Sequence, residues 1–558
     1  MDVSFATIWE AVARRLPGAV AVQEPGRELT YAEFDDRAAR LAEALVRAGV
    51  GPGGRVACYL HNGAAYLVTV FAALKIGAVP VNANYRYTGK ELSGLLTDAG
   101  AEAIVFSGSL ATGVEEAVRT VPTLRLLVRV DRPGRAAAHE QILLDVPGRM
   151  SAGLDDLIAT TPPRPAEPRP GSDQLFLYTG GTTGRPKGVV WRLADLLHSL
   201  AVPVFGPLGV QGLPATLEEA VEIAVAARKD GRAPVTLPVA PLMHATGLFN
   251  AMGALLTGGR VVTTRPGGLD ARHVWETVAE RRVRTVIVAG NAVCAPLVAE
   301  LQAGRSYDLS SLTSLISSGT ALSDDLKQVL HERADVTIFD AIASSEGGPF
   351  AFAVTSSAAD LPARFFPVPG TKVITPDGRR LTPGSDETGV LAYAGPMPLG
   401  YHGDPARTAA TYRVIDGVRH AIPGDLARLE ADGAIRFLGR GSSVINTGGE
   451  KVYPQEVETA LLTHPDVTDC VVVGLPDETW GERVAAVVAT TSPTLTEDVL
   501  HAWARKDLAG YKVPRHILLR PALPRSPAGK LELAWARRVL TDHGRSGRTR
   551  CRPRPGSA

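Results

Sequence analysis

Apolar positions recur at two different periods along the first half of this chain, and their alternation predicts its architecture. Residues 55–60 (Arg-Val-Ala-Cys-Tyr-Leu) form an apolar run of strand length, and 64–75 is apolar at helical spacing. Further strands are predicted over 77–81 and 103–106. The first residues, MDVSFATIWEAVARRL, read as the start of an amphipathic helix. Thr30 with Glu33 three residues on is a capping box, opening a helix that runs to about residue 48. Strands alternating with helices in this way predict parallel sheets covered by helices, an α/β fold. The apolar stretch 64–81 is interrupted by Lys75 and Pro80, so it reads as a helix and a strand and not as a membrane span.

The pattern changes several times further on. Residues 161–170 carry so many prolines that neither helix nor central strand is open to them, which predicts an extended connector. A polar-faced helix is expected within 213–232, and strand and helix patterns resume from 236 to about 355. Past Val368, Gly, Pro and Asp turns between short strands predict a small β-rich subdomain. A boundary is expected near Gly439 to Ser443, followed by alternation again: helix 456–462, strand 469–473, strand 483–490. The expected division is an N-terminal body over 1–438, a mobile α+β C-terminal domain over 441–543, and a disordered tail over 544–558.

Composition narrows the class. Hydrophobic residues at 45% with a net charge of +1 exclude bulk disorder and give no overall charge for nucleic acid or an anionic membrane. The balance is uneven, because the tail after His543 holds five arginines and no acid. The rest carries 54 basic against 58 acidic residues, a balance of −4. The cysteines (58, 294, 470, 551) share no metal-ligand spacing and read as free thiols in a reducing compartment. Neither a signal peptide nor a membrane span is recognised, so a cytoplasmic protein is expected.

The most informative segment is Tyr178-Thr-Gly-Gly-Thr-Thr-Gly-Arg-Pro-Lys-Gly-Val189, which follows an apolar strand over 174–177. Gly180, Gly181 and Gly184 let backbone approach a ligand closely, Thr179, Thr182 and Thr183 add hydroxyls, and Lys187 adds charge. Backbone N–H groups, hydroxyls and a cation on one loop suit a polyphosphate. It is not a Walker A loop, since Lys187 is followed by Gly188 and not by Ser or Thr.

This segment resembles the phosphate-binding signature of the AMP-forming adenylating superfamily, which includes acyl-CoA synthetases, nonribosomal adenylation domains and firefly luciferase. Other segments resemble that family's motifs in its order: Pro241-Leu-Met-His-Ala-Thr-Gly247, Ser317-Ser-Gly-Thr-Ala321, Asp340-Ala-Ile-Ala-Ser-Ser-Glu346, Pro423-Gly-Asp425, Leu438-Gly-Arg440, Thr447-Gly-Gly-Glu-Lys-Val452 and Pro524-Arg-Ser-Pro-Ala-Gly-Lys530. The resemblance implies two steps: carboxylate and ATP give acyl-adenylate and pyrophosphate, then a thiol displaces AMP. It makes Lys530 the lysine bridging carboxylate and phosphate oxygens, and Glu346 the holder of the Mg²⁺ that accompanies ATP. The Ser345 hydroxyl stands where the family has Thr, against phosphate. Ser318, Gly319 and Thr320 border adenine, Asp340 and Ala341 lie beside its amino group, and Asp425 and Arg440 hold ribose. His244 lies beside the acyl pocket, where Met243, Leu248, Phe249, Ala289 and Val293 supply apolar neighbours. After a rotation about a hinge, Gly448, Gly449 and Lys451 cover the pantetheine channel of CoA.

The chain departs from the family pattern at Ile342, which replaces an aromatic ring, and at Ala343, Pro423 and Ser442. Among subgroups it looks most like actinobacterial fatty-acyl-CoA ligase-type proteins, which implies an aliphatic or cyclic apolar acid and free CoA. The alternative is an adenylating enzyme of secondary metabolism that loads a carrier protein or uses an unusual acceptor. A catalytically silent homologue would lack Lys530, Glu346 or Asp425, and all of them are present. Monomer and homodimer are both compatible with the sequence.

Overall fold

In the computed structural model, residues 2–131, 148–179, 187–440, 443–447, 450–477, 481–508, 510–525 and 531–548 are described, without the side chains of 440, 446, 450, 451, 481 and 544–548. Two compact units emerge, Met1–Thr371 with Tyr393–Ala421, and Lys372–Ala392 with Ile422–Ala558.

The first unit is built on two sheets. In the nine-stranded sheet, Val20–Glu24, Arg260–Val262, Val235–Pro238, Thr285–Val288, Ser314–Ser318 and Thr337–Ser344 run parallel. Antiparallel strands close its edges, Arg27–Thr30 on one side and Gly348–Thr355 with Phe366–Pro367 on the other. The eight-stranded sheet follows the same plan, with Val79–Asn82, Arg55–Tyr59, Ala101–Ser107 and Gln174–Thr179 parallel and Lys187–Arg192 turned antiparallel. This is the expected α/β class.

Period two explains how these strands are covered on both faces. Val56 and Cys58 join a core that also holds Val22 of the other sheet and side chains of the helices Phe5–Arg15, Tyr31–Arg47, Ala64–Lys75 and Ala245–Leu256. Those helices therefore lie between the sheets. Ala57 and Tyr59 point the other way, onto Leu95, Leu96 and Val114 of the outer helices. Both termini of the strand-and-helix reading are clean at Ala64–Lys75, and Thr30 forms its capping box with Glu33.

One polar link ties the inter-helix core to the nine-stranded sheet. The Tyr31 hydroxyl, fully buried, lies 2.9 Å from the Leu255 carbonyl and 2.8 Å from that of Gly259. Tyr31→Phe leaves those carbonyls without their donor, and is expected to lower unfolding free energy by about 1–3 kcal/mol, read by urea denaturation.

In the second unit, Asp425–Leu429 pairs antiparallel with Ile435–Arg440, and Gly389 and Val390 lie opposite Ala427 and Leu426. A five-stranded sheet follows, with Asp469–Asp477 and Gly481–Ala489 as its long antiparallel centre. Val472, Val484 and Ala486 face the helices Pro454–Leu462 and Glu497–Ala504, while Val471, Val473 and Val487 face Ala536 and Leu540 of the helix Leu533–Arg548. That last helix carries regular backbone into residues 544–548, which the sequence reading assigned to a disordered tail. The helix is anchored by Ala536 and Leu540, and propagation beyond an anchored turn costs little. Residues 549–558 lie outside the described residues.

Candidate active site

The ends of parallel strands are where open α/β sheets present ligand-binding loops. In the first unit, Thr179, Ser318 and Ser344 each close such a strand, and Val235–Pro238 leads into the segment that contains His244. Thr179 and Lys187 are half-buried and face each other across the base of the glycine-rich loop. Lys187 opens the return strand, so sequence placed it in a loop where the structure places it on an element. Gly180, Gly181, Thr182, Thr183 and Gly184 lie outside the described residues.

Two asparagines that sequence reading missed hold the neighbouring segments. Buried Asn82 donates from Nδ2 to the carbonyls of Tyr178, 2.9 Å, and Met243, 2.7 Å, joining the base of the glycine-rich loop to the His244 segment. Asn62 donates to the Pro238 carbonyl at 2.9 Å and accepts from the Leu242 N–H at 2.7 Å. The available signal was positional: Asn82 is a polar residue ending an otherwise apolar strand.

His244 is half-buried at the N-cap of the helix Ala245–Leu256. Gly247 explains the spacing behind it, since a Cβ there would stand 2.4 Å from the Pro241 carbonyl. Met243 and Leu248, expected at the acyl pocket, are instead core residues at 1% and 2% exposure, because the turn points both inward. Phe249, Ala289 and Val293 are half-buried and remain available to a pocket wall.

Ser318 is tied to the same helix, its hydroxyl 2.7 Å from that of Thr246. Gly319 has φ +94°, and exposed Thr320 donates to the Ala289 carbonyl at 3.1 Å. The Asn291 N–H donates to Ala321 at 2.8 Å, so residues 318–321 are stitched to the start of the helix Gly290–Gln302. Gly290 permits this approach: its φ is +55°, and a Cβ would meet the Thr320 hydroxyl at 2.1 Å.

Asp340 departs from its expected role. Its carboxylate is 3.0 Å from Lys327 Nζ, with both side chains almost wholly buried. Burial pushes its pKa up, against the pull of Lys327 and a hydrogen bond from Ser317. The strand period turns Asp340 into the core, and a carboxylate in that pair is not presented to an adenine amino group. Ala341 and Ser345 are half-buried, and the Ser345 carbonyl accepts from Trp191 Nε1 at 3.2 Å.

Glu346 is buried at 8% exposure, and the Tyr401 hydroxyl donates to its Oε1 at 2.8 Å. Burial and the adjoining carboxylate hold the Tyr401 phenol protonated by raising its pKa. Among the described residues no hydrogen bond reaches Oε2, and the buried Tyr412 hydroxyl, whose pKa is raised by burial and then by Glu346, has no hydrogen-bond partner. A buried carboxylate with an open oxygen fits one cation whose other ligands come from phosphate and water. Among the described residues there is no group of three or more His, Cys, Asp or Glu to hold a metal alone.

In the second unit, buried Asp425 follows Gly424 and lies opposite Arg440 in the strand register. Lys451 stands on the strand Glu450–Val452, opposite Asn446. Gly448, Gly449, Ser442 and Lys530 lie outside the described residues. Free, buried Cys58, Cys294 and Cys470 fit the expectation of unpaired thiols, and no helix among the described residues is long and apolar enough to cross a membrane.

Comparison with known proteins identifies the family. A family model described as AMP-binding enzyme matches residues 9–402, and one described as AMP-binding enzyme C-terminal domain matches 456–530. A 3-oxocholest-4-en-26-oate–CoA ligase of Rhodococcus rhodochrous is 35% identical over 96% of each chain. A medium/long-chain-fatty-acid–CoA/3-oxocholest-4-en-26-oate–CoA ligase of Mycolicibacterium smegmatis is 37% identical over 97% of each. Among solved structures, the anthranilate CoA ligase AuaEII with anthranoyl-AMP superposes with a TM-score of 0.77 at 23% identity, covering 97% of this chain and 96% of that one, which is a likeness of fold.

Proposed function

The chain belongs to the AMP-binding enzyme family, and on that premise we propose that this AMP-forming acid–CoA ligase activates an apolar, fatty or cyclic aliphatic carboxylic acid. The substrate class is carried by one observation: relatives alike over nearly their whole length are named for fatty and steroid acids. Half-buried Phe249, Ala289 and Val293 are compatible with it, since none offers a partner for a second charged group.

In the first step a carboxylate oxygen attacks the α-phosphorus of ATP, the P–O bond to the β-phosphate breaks, and pyrophosphate leaves. Two anions must meet, so charge and donors have to be placed before they do. The glycine-rich loop with Thr179 and Lys187 binds phosphate oxygens, and Lys530 bridges carboxylate and α-phosphate. Glu346 would hold Mg²⁺, which would neutralise phosphate charge when bound, and Ser345 lies on the same turn. Ser318, Gly319, Thr320 and Ala341 border adenine, while Asp425 and Arg440 take the ribose hydroxyls. His244 borders the acyl entrance. In the second step the CoA thiolate attacks the acyl carbonyl, the C–O bond to AMP breaks, and AMP leaves. Gly448, Gly449 and Lys451 line the pantetheine approach. A reducing, cytoplasmic location belongs to the same reading, supported by free Cys58, Cys294 and Cys470.

Pyrophosphate release is to be screened over aliphatic, steroid-derived and aryl acids, with and without CoA. Release that depends on aliphatic or steroid acids, with acyl-CoA forming once CoA is added, is expected. Preference for aryl acids would overturn the substrate class, and thioester formed only on a carrier protein would overturn the acceptor.

A further inference from the structure

We infer that Lys327 and Asp340 are positioning residues for the nucleotide: their buried ion pair fixes the two segments that border adenine, and neither side chain touches the base. The inference rests on the nucleotide-binding reading above.

Asp340 lies directly opposite Ser317 on the adjacent strand, and Ser318 opposite Ala341. Ser317 is fully buried, accepts from the Gly290 N–H at 3.2 Å, and donates to Asp340. Lys327 reaches Asp340 from the helix Asp324–Arg333, at 2% side-chain exposure, with the Phe365 ring 5.9 Å from its ammonium. Lys327 is also 3.5 Å from Asp324, whose Oδ1 accepts from the Ala363 N–H at 3.3 Å. One cation and one carboxylate thus join two strands and two helices immediately below Ser318 and Ala341, the pair at which the parallel ladder between these strands ends and 319–321 leave the sheet. Removing one partner leaves a buried uncompensated charge, and the strand ends must shift to relieve it. Small displacements of groups that hold a ligand are costly, because orientation is set by atoms only a few tenths of an ångström out of place.

The experiment is equilibrium binding of AMP and, separately, GMP to the full chain, so it needs no knowledge of the acid. Lys327→Met and Asp340→Asn are each expected to weaken AMP by about 10-fold or more and to narrow the preference for AMP over GMP, whereas Lys327→Arg stays within about 3-fold. Thermal unfolding is followed alongside. Replacing a buried pair by apolar groups often restores stability, so the double variant Lys327→Met with Asp340→Leu covers the case in which single variants do not fold. It is expected to fold and still to discriminate poorly between AMP and GMP. Variants that lose thermal stability but keep wild-type AMP affinity and AMP-over-GMP preference would overturn the positioning role and leave the ligase reading intact. A wild-type chain that binds no AMP would overturn that reading itself.

Discussion

Lys530→Ala is expected to slow acid-dependent pyrophosphate release by about 10²–10³-fold, yet to leave conversion of a preformed acyl-adenylate and CoA into thioester within about 10-fold of wild type. The difference follows from where charge develops. In adenylation the incoming carboxylate and the α-phosphate are both anionic, and an ammonium between them is worth most as the new P–O bond forms. In thioester formation the nucleophile is a thiolate, the leaving group is AMP, and the adenylate's carboxylate charge has already been lost. A lysine that follows Ser-Pro-Ala-Gly in the sequence is suited to a contact made in only one of the steps, because its single charge sits on a long flexible stem. Lys530→Arg is expected to restore less than half of the lost rate, since a planar fork does not fit a point contact shared by two oxyanions. Both half-reactions can be followed on one enzyme preparation, by pyrophosphate release and by chromatography of the thioester. Equal loss of both would sink the assignment of Lys530 to adenylation.

Signals in the sequence differ in the range over which they act. The helix Ala64–Lys75 and the Thr30 cap are local, fixed by apolar spacing and by a side chain three residues from its partner. Ordered motifs singled out Thr179, Ser318 and Glu346, and the structure puts the first two at strand ends and the third just beyond one. Asp340 was misread for a physical reason: its partner Lys327 sits on a preceding helix, and no local pattern reveals which carboxylate a buried ammonium will meet. Met243 and Leu248, expected near the acyl pocket, are apolar, and apolar residues beside a site are equally apt to fill the core. Asn82 escaped notice for the converse reason, since a single amide carries no motif and its role appears only when two distant carbonyls converge on it. The β-rich residues 372–392 and 422–440 belong with the C-terminal compact unit, a grouping made by pairing between segments far apart in sequence.

Glu346→Gln is expected to lower kcat/KM for ATP by about 10²–10³-fold and to raise the Mg²⁺ concentration for half-maximal rate, because it removes the charge that the proposed function assigns to binding the cation while keeping the shape of the side chain. Tyr401 makes the role of the carboxylate separable from its mere presence. Its hydroxyl donates to Oε1 and leaves Oε2 without a hydrogen bond among the described residues, so it fixes which oxygen is presented. Tyr401→Phe keeps the ring and the charge on Glu346 but frees the carboxylate to rotate, and loss of a partner that orients a metal ligand typically costs about 10–100-fold in metal affinity. Tyr401→Phe is therefore expected to shift the Mg²⁺ half-saturation by about 10-fold, with kcat at saturating Mg²⁺ recovering to near wild type. Glu346→Gln does not recover at any Mg²⁺ concentration, since no added cation replaces the missing charge. The contrast is read from pyrophosphate release across a Mg²⁺ titration at fixed ATP and acid. A structural role for the pair predicts the opposite pattern: a lowered melting temperature in both variants with an unchanged Mg²⁺ midpoint, which would remove Glu346 from the metal site.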